Sequence, residues 1–328
     1  MIGKLLKGVV KAALTLVLLL VLVLAGFRAA AAWREREEGV PSAMHMVPTP
    51  LGRVAVETAG PAAGRPVLLV HGTAGWSGFW RNVTRHLAAR GWRVIAVDLP
   101  PFGYSERDSE ARYGRQDQAA RLAAVLAAEA RQPAIVLGHS FGGGPAAELA
   151  LRAPGRVRAL VLVDAALGQL DPAGHASGLP ERAVGRSWVA EPLVSASVAN
   201  PLATGALLRS MLARKDAADA WIDTIRQPMR RRGTTAGYAD WLPALLTADD
   251  GAASRRSANL SRIRMPVDIV WGEADTVTPI EQGERIARLT NARSFARLPG
   301  VGHIPHIEDE AGFLRVLDAA LARERQTE

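Results

Sequence analysis

The chain has 328 residues, 48% of them hydrophobic, which suits one large domain or one domain carrying an insertion. It contains no cysteine, so a disulfide framework and a thiolate metal site are both ruled out. The formal charge is +8, yet three of the four lysines are Lys4, Lys7 and Lys11, and the remaining excess is arginine scattered among acids apart from Arg230-Arg231-Arg232. Dispersed charge of that kind is a solvated surface and argues against a nucleic-acid partner.

Residues Ala12 to Phe27 are apolar except Thr15 and follow directly on the three lysines. Sixteen helical residues rise about 24 Å, short of a ~30 Å hydrocarbon core, and extension back to Gly8 reaches a spanning length if Lys11 snorkels to the headgroups. Two readings compete. A secretory signal would use the lysines as its basic region and Ala29-Ala30-Ala31 as its cleavage site. A retained anchor is favoured, because the apolar run is long for a signal and Arg28 interrupts the approach to the alanines. With arginines 28, 34 and 36 nearly balancing the lysines, the charge rule leans only slightly towards an N-terminus inside and the rest of the chain outside the cytoplasm. Residues 1–36 are thus read as anchor or signal plus linker.

From Trp33 to Pro50 the chain reads as an interface residue and linker, and Val54–Thr58 as a first short strand. Pro66–Val70 is wholly apolar, the mark of a strand buried on both faces. It runs into His71-Gly72-Thr73-Ala74-Gly75-Trp76 and then an amphipathic helix to about Arg90. Val94–Val97 is the next strand, leading into the Asp98–Ser105 segment, and a helix follows from about Gln116 to Ala130. Pro133–Leu137 is a strand delivering Gly138-His139-Ser140-Phe141-Gly142, and a helix begins at Gly143. Val157–Val163 is another strand. Strands separated by helical stretches of ten to fifteen residues predict an α/β fold with a doubly wound, mostly parallel sheet.

The rhythm stops between Ala166 and Ser257, where short helical patterns such as Leu202–Ala220 and Trp221–Arg231 replace buried strands. Ninety residues are too many for a loop, so 166–257 is read as an inserted helical cap between core segments 37–165 and 258–328. Strands return at Val267–Trp271 and Ser294–Leu298, and a helix over about Glu310–Arg323 ends the fold.

The order strand, Gly-x-Ser-x-Gly, helix is that of a nucleophile elbow. A strained turn lifts Ser140 above the sheet edge, and side chains at Gly138 or Gly142 would collide with the neighbouring strand and helix. The first amides of the following helix would face the developing oxyanion. Acyl transfer by serine also needs a base and an acid. Two strand exits supply candidates: Trp271-Gly-Glu-Ala-Asp275 and Pro299-Gly-Val-Gly-His303.

With these five ordered motifs, residues 50 to 325 resemble an α/β-hydrolase fold protein of the capped branch. The resemblance implies Ser140 as nucleophile, His303 as general base, Asp275 as acid, and the backbone N–H groups of Thr73 and Phe141 as oxyanion hole. Asp164, ending the strand at 157–163, is a rival acid. His306 is a rival base otherwise read as supporting the site or lying at the surface. His71, His139 and Asp98 read as residues that hold loops, and Glu273 as solvent-facing. A serine at the elbow implies an acyl-enzyme and an ester or related carbonyl substrate, with no metal or organic cofactor needed. Residues such as Trp188, Met211, Trp221 and Trp241 would choose the substrate from the cap. The alternatives are a carbon–carbon bond hydrolase of ring-cleavage products and a catalytically silent membrane-tethered binding protein. An aminopeptidase would want an acidic cluster in the cap, which Glu181, Glu191 and Asp219 do not obviously form.

Overall fold

The structure, a computed structural model, describes residues 2–37, 39–168, 170–171, 187–246 and 251–325. It opens with one long helix, α1 (Ile2–Arg34). An eight-stranded sheet follows, in the order β1-β2-β4-β3-β5-β6-β7-β8. Its strands are β1 (Met44–Thr49), β2 (Gly52–Ala59), β3 (Pro66–Val70), β4 (Arg93–Val97), β5 (Ala134–His139), β6 (Val157–Val163), β7 (Val267–Gly272) and β8 (Ser294–Leu298). The pairs β1–β2 and β2–β4 are antiparallel, and every other pair is parallel.

The apolar strands behave as their composition requires. Alternate residues leave a strand on opposite faces, so Leu68 and Val70 of β3 join one core while Val67 and Leu69 join the other. The first core is closed by α3 (Arg115–Glu129), α4 (Gly143–Arg152) and α10 (Ile280–Thr290) through Leu122, Ala146 and Ile286. The second is closed by α2 (Arg81–Ala89) and α11 (Glu310–Arg325) through Leu87 and Phe313. The sheet is therefore covered on both sides, and its parallel strands all present their C-terminal ends to one edge.

One expectation needs correction. The segment before Pro50, read as linker, contains β1, which forms a hairpin with β2 by pairing Met44 with Glu57 and Thr49 with Gly52. It is an edge strand, and the edge is where a proline such as Pro48 is tolerated.

Between β6 and β7 the described residues hold no strand. They form α5 (Ser187–Ala196), α6 (Pro201–Met211), α7 (Ile222–Arg226), α8 (Thr234–Leu246) and α9 (Ser257–Leu260), joined by 3₁₀ turns. The helical pattern read from Leu202 to Ala220 is two elements, α6 and a 3₁₀ turn over Lys215–Trp221. The chain leaves α6 at Leu212, because the Met211 carbonyl accepts the amide of His303 and the Arg214 amide turns to the Glu308 carboxylate. Asn200 caps α6 by accepting the Leu202 amide at 3.0 Å.

Candidate active site

β5 ends at His139, and the next residue, Ser140, has φ +49°. A left-handed conformation costs a non-glycine residue roughly 1–2 kcal/mol. The neighbours explain why the turn is nevertheless held. A Cβ on Gly138 would lie 2.8 Å from both the Ala146 side chain and the Gly142 carbonyl, and one on Gly142 would strike the His71 carbonyl. The strand, turn and helix can therefore approach this closely only with glycine at both places. Ser140 is lifted to the C-terminal edge of the sheet, directly before the first turn of α4.

Three residues from distant parts of the chain meet there. His303 Nε2 lies 2.8 Å from Ser140 Oγ, and His303 Nδ1 lies 2.8 Å from Asp275 Oδ2. All three are buried. Asp275 is further held by the amides of Val277 and Thr278, at 2.7 and 3.0 Å on Oδ1, and by the Thr278 hydroxyl, which donates to Oδ2 at 2.6 Å. Burial alone would raise the Asp275 pKa, but the hydrogen bond and charge of His303 and the Thr278 donors outweigh it and hold the carboxyl below its ordinary value. An ionised Asp275 keeps the proton of the imidazole on Nδ1 and leaves Nε2 to accept from the serine.

Asp164 is equally close. Its carboxylate, that of Asp275 and the His303 ring place one ligand atom each within 4.8 Å of one another. Three clustered groups of this kind would also suit a cation, but His303 is already engaged on both nitrogens and Asp164 accepts only the Gly272 amide, at 2.9 Å. Asp164 Oδ2 is buried without a hydrogen-bond partner, and burial followed by the adjacent Asp275 charge pushes its pKa well above the ordinary carboxylate range. Both observations disfavour a second negative charge beside Asp275.

The remaining histidines have other surroundings. His71 donates from Nδ1 to the Gly72 carbonyl at 2.7 Å and accepts the Leu99 amide on Nε2 at 2.9 Å, which fixes its tautomer and joins two loops. His139 lies with Nε2 2.8 Å from the carbonyl of His303. His306 is not at the surface: it is 1% exposed and stacks on Trp80 with ring centroids 4.1 Å apart. Asp98 accepts the amides of Ser77 and Tyr104 at 2.6 and 2.7 Å, tying together the loops after β3 and β4. Glu273 is exposed.

Burial lowers the pKa of His71 to about 4 and that of His139 to about 3, and that of His306 well below its ordinary value. These groups are neutral in the fold and bind protons when unfolded, so their contribution is complete above about pH 6.5 and is lost as pH falls towards 4. His71 alone accounts for about 3 kcal/mol over that window. Asp98, raised to about 6 by burial, acts in the opposite direction between about pH 4 and 6. Asp164, also pushed up by burial, acts with Asp98, but the three histidines outnumber these two acids, so Tm measured in detergent should fall between pH 7 and pH 5, and a rising Tm would refute this balance.

Above Ser140 lies a cavity of about 510 Å³, lined by Phe79, Leu208, Met211, Ile225 and Met229 among others, with Ser140 and His303 at its floor. Among the described lining residues none is Arg, Lys, Asp or Glu. Thr73 lines the cavity, and Phe141 directly follows the serine. Of the residues expected to shape the pocket, Met211 does. Trp221 and Trp241 do not line it: Trp221 stacks on Phe79 and carries Arg81 over its face, and Trp241 packs against Phe102 and Phe141. The side chain of Trp188 and all of Glu181 lie outside the described residues. Glu191 pairs with Arg28 and Asp219 with Arg209, so neither supplies an acidic cluster to the cavity.

Sequence reasoning missed Glu308. Its buried carboxylate accepts the Gly302 amide at 2.9 Å and the Arg214 amide at 2.6 Å, holding the loop before His303 against the helical insertion. A glutamate two residues after a Pro-His pair carried no readable signal of this.

A parallel sheet, a strained serine at the end of its fifth strand and a histidine within reach define a hydrolase. Residues 65–310 match the model of the alpha/beta hydrolase fold family, and the chain belongs to that family. It is 30% identical over 266 residues to 2-hydroxy-6-oxo-2,4-heptadienoate hydrolase from Pseudomonas putida, covering 80% of this chain and 91% of that protein. Among solved structures it is similar to a thermophilic esterase from Thermogutta terrifontis, with TM-score 0.68 and 23% identity over 85% of this chain and 98% of the other. It is also similar to a membrane phospholipase A described as a bacterial virulence factor, with TM-score 0.63 and 23% identity over 97% of this chain and 99% of the other.

Proposed function

We propose that the chain is a membrane-anchored serine hydrolase that cleaves carboxylic esters of apolar molecules or lipids through an acyl-enzyme. The observation that carries this is the line Ser140–His303–Asp275, with 2.8 Å at each junction, at the floor of an apolar cavity with no Arg, Lys, Asp or Glu among its described lining residues. Ser140 Oγ attacks the ester carbonyl while His303 Nε2 takes its proton, and Asp275 stabilises the imidazolium. The amides of Thr73 and Phe141 receive the oxyanion. The same proton passes to the departing alcohol, and a water activated by His303 then releases the acid. Residues 166–257 act as the cap that roofs the cavity, and no cofactor enters the cycle.

The likeness to 2-hydroxy-6-oxo-2,4-heptadienoate hydrolase favours carbon–carbon bond hydrolysis as the second reading. Its substrate is by name a carboxylate, and the described cavity offers no cationic side chain to meet one. p-Nitrophenyl esters of graded acyl length should all be cleaved, with an optimum beyond acetate. Inactivity on every ester, together with cleavage of a 2-hydroxy-6-oxo-dienoate, would transfer the assignment to the second reading. Inactivity on both would favour a binding protein.

Anchoring is supported by α1, which is long and apolar enough to cross a membrane and whose apolar stretch is exposed in the isolated chain. A cleavage after Ala31 would cut beside Arg34 and Glu35, which bond to the helical insertion. On cell fractionation the full chain should stay in the membrane pellet after high-salt and carbonate washes. A soluble form beginning near Ala32 or Trp33 would instead establish a cleaved signal.

A further inference from the structure

The end of α1 is attached to the helical insertion rather than to the sheet. Arg28 pairs with Glu191 of α5 at 2.6 Å. Arg34 donates to the carbonyl of Ala199, between α5 and α6, at 2.9 Å and to that of Met229 at 3.2 Å. The Thr235 amide at the start of α8 donates to Glu35 at 3.0 Å, and Ala31 is fully buried. The apolar run of α1 therefore stops one residue before its first ion pair with the insertion. From Arg28 to Arg34 the helix rises about 9 Å, comparable to the headgroup layer, which is roughly 5–7 Å deep on each side of a bilayer. Trp33, 69% exposed, stands at the same level, where interfacial tryptophans belong.

On the outer surface of α5, which is bonded to α1, Leu193 is 43% exposed, and at the start of α6, three residues after the Ala199 carbonyl that Arg34 holds, Leu202 is 84% exposed. Further along α6, Leu207 is 41% exposed and also lines the cavity, as does the exposed Val277. Scattered exposed leucines need no explanation on a soluble surface. Here they lie on α5, which α1 holds beside its own point of entry, and on α6, whose preceding loop Arg34 holds, and they continue to the rim of the cavity.

We propose that the outer face of α5 and α6, through Leu193, Leu202 and Leu207, rests in the headgroup–acyl boundary of the bilayer that α1 enters, so that the cavity mouth takes an acyl chain from the membrane. The occupant of this face is lipid, in continuity with the apolar surface of α1. The inference rests on reading α1 as a retained anchor and names the source of the substrate for the site above.

Because the chain has no cysteine, one can be placed at Leu193, at Leu202 or, as a control, at exposed Arg131 at the opposite end of the sheet. Each full-length variant is labelled with an environment-sensitive nitrobenzoxadiazole probe. It is then reconstituted in phosphatidylcholine–phosphatidylglycerol vesicles containing doxyl-labelled lipid. Probes at 193 and 202 should shift to the blue and be quenched, and the probe at 131 should not. If all three behave as in water while the chain resists carbonate, the docking is refuted and the anchor stands. Release by carbonate overturns both. Cross-linking of cysteines at 202 without quenching gives the face to a second copy and also overturns the proposal. Independently, the double variant Leu193→Asp, Leu202→Asp should lower hydrolysis of vesicle-embedded p-nitrophenyl palmitate about tenfold while leaving soluble p-nitrophenyl butyrate within about twofold. An unchanged ratio of the two rates would refute the proposal even where the variant is less stable.

Discussion

Ser140→Ala and His303→Ala should each lower kcat by several orders of magnitude, on the order of 10⁶ where serine and histidine act as one unit, and the double variant should lose little more than either alone. The reason is geometric. The two residues are 163 positions apart in the chain yet share one 2.8 Å contact, and neither moves a proton usefully without the other. A fluorophosphonate probe should label the wild type, fail on Ser140→Ala and react much more slowly with His303→Ala. His306→Ala should still take the probe, although removing a ring stacked on Trp80 leaves a void and should lower Tm. Additive losses in the double variant would dissolve the pair. Labelling lost in His306→Ala but kept in His303→Ala would move the base.

Asp275→Asn should keep the fold and lower kcat by about 10⁴, because an amide facing His303 Nδ1 favours the wrong tautomer. The carboxylate it replaces holds four hydrogen bonds, from the Val277 amide, the Thr278 amide and hydroxyl, and His303. Asp164→Asn should be mild. Burial and the Asp275 charge push its pKa up and disfavour a charge there, so an amide of the same shape gives up little and can still accept the Gly272 amide. Measuring kcat and KM for both variants on one ester decides the matter. A severe loss from Asp164→Asn with a mild one from Asp275→Asn would assign the acid to the end of β6.

How much of this was legible beforehand depended on whether a feature is local. The elbow could be read because three constraints coincide within five residues: a left-handed φ at Ser140 and no room for a Cβ at Gly138 or Gly142. The central strands could be read because burial on both faces forces an unbroken apolar run, as in Pro66–Val70. β1 escaped because an edge strand buried only at Met44 and Val47, three residues apart, with an internal proline, shows neither an unbroken apolar run nor a two-residue alternation. Non-local roles were not written in any one stretch. Nothing in their own segments distinguishes Trp241, packed on Phe102, from Met211, which lines the cavity. The burial of Asp164 beside Asp275 likewise follows only from the pairing of β6 with β7.

The bond from the His303 amide to the Met211 carbonyl, 2.9 Å long, bears on how this enzyme could be re-engineered. Met211 ends α6, and Glu308 clamps both the next turn and the loop that delivers the histidine. A chimera that exchanged residues 187–246 for those of another hydrolase would thus alter the seat of His303 as well as the shape of the cavity. Transplants that retain the stretch from Met211 to Arg214, with Glu308 opposite, should change substrate preference at modest expense in turnover, whereas exchanges cutting through it should lose both.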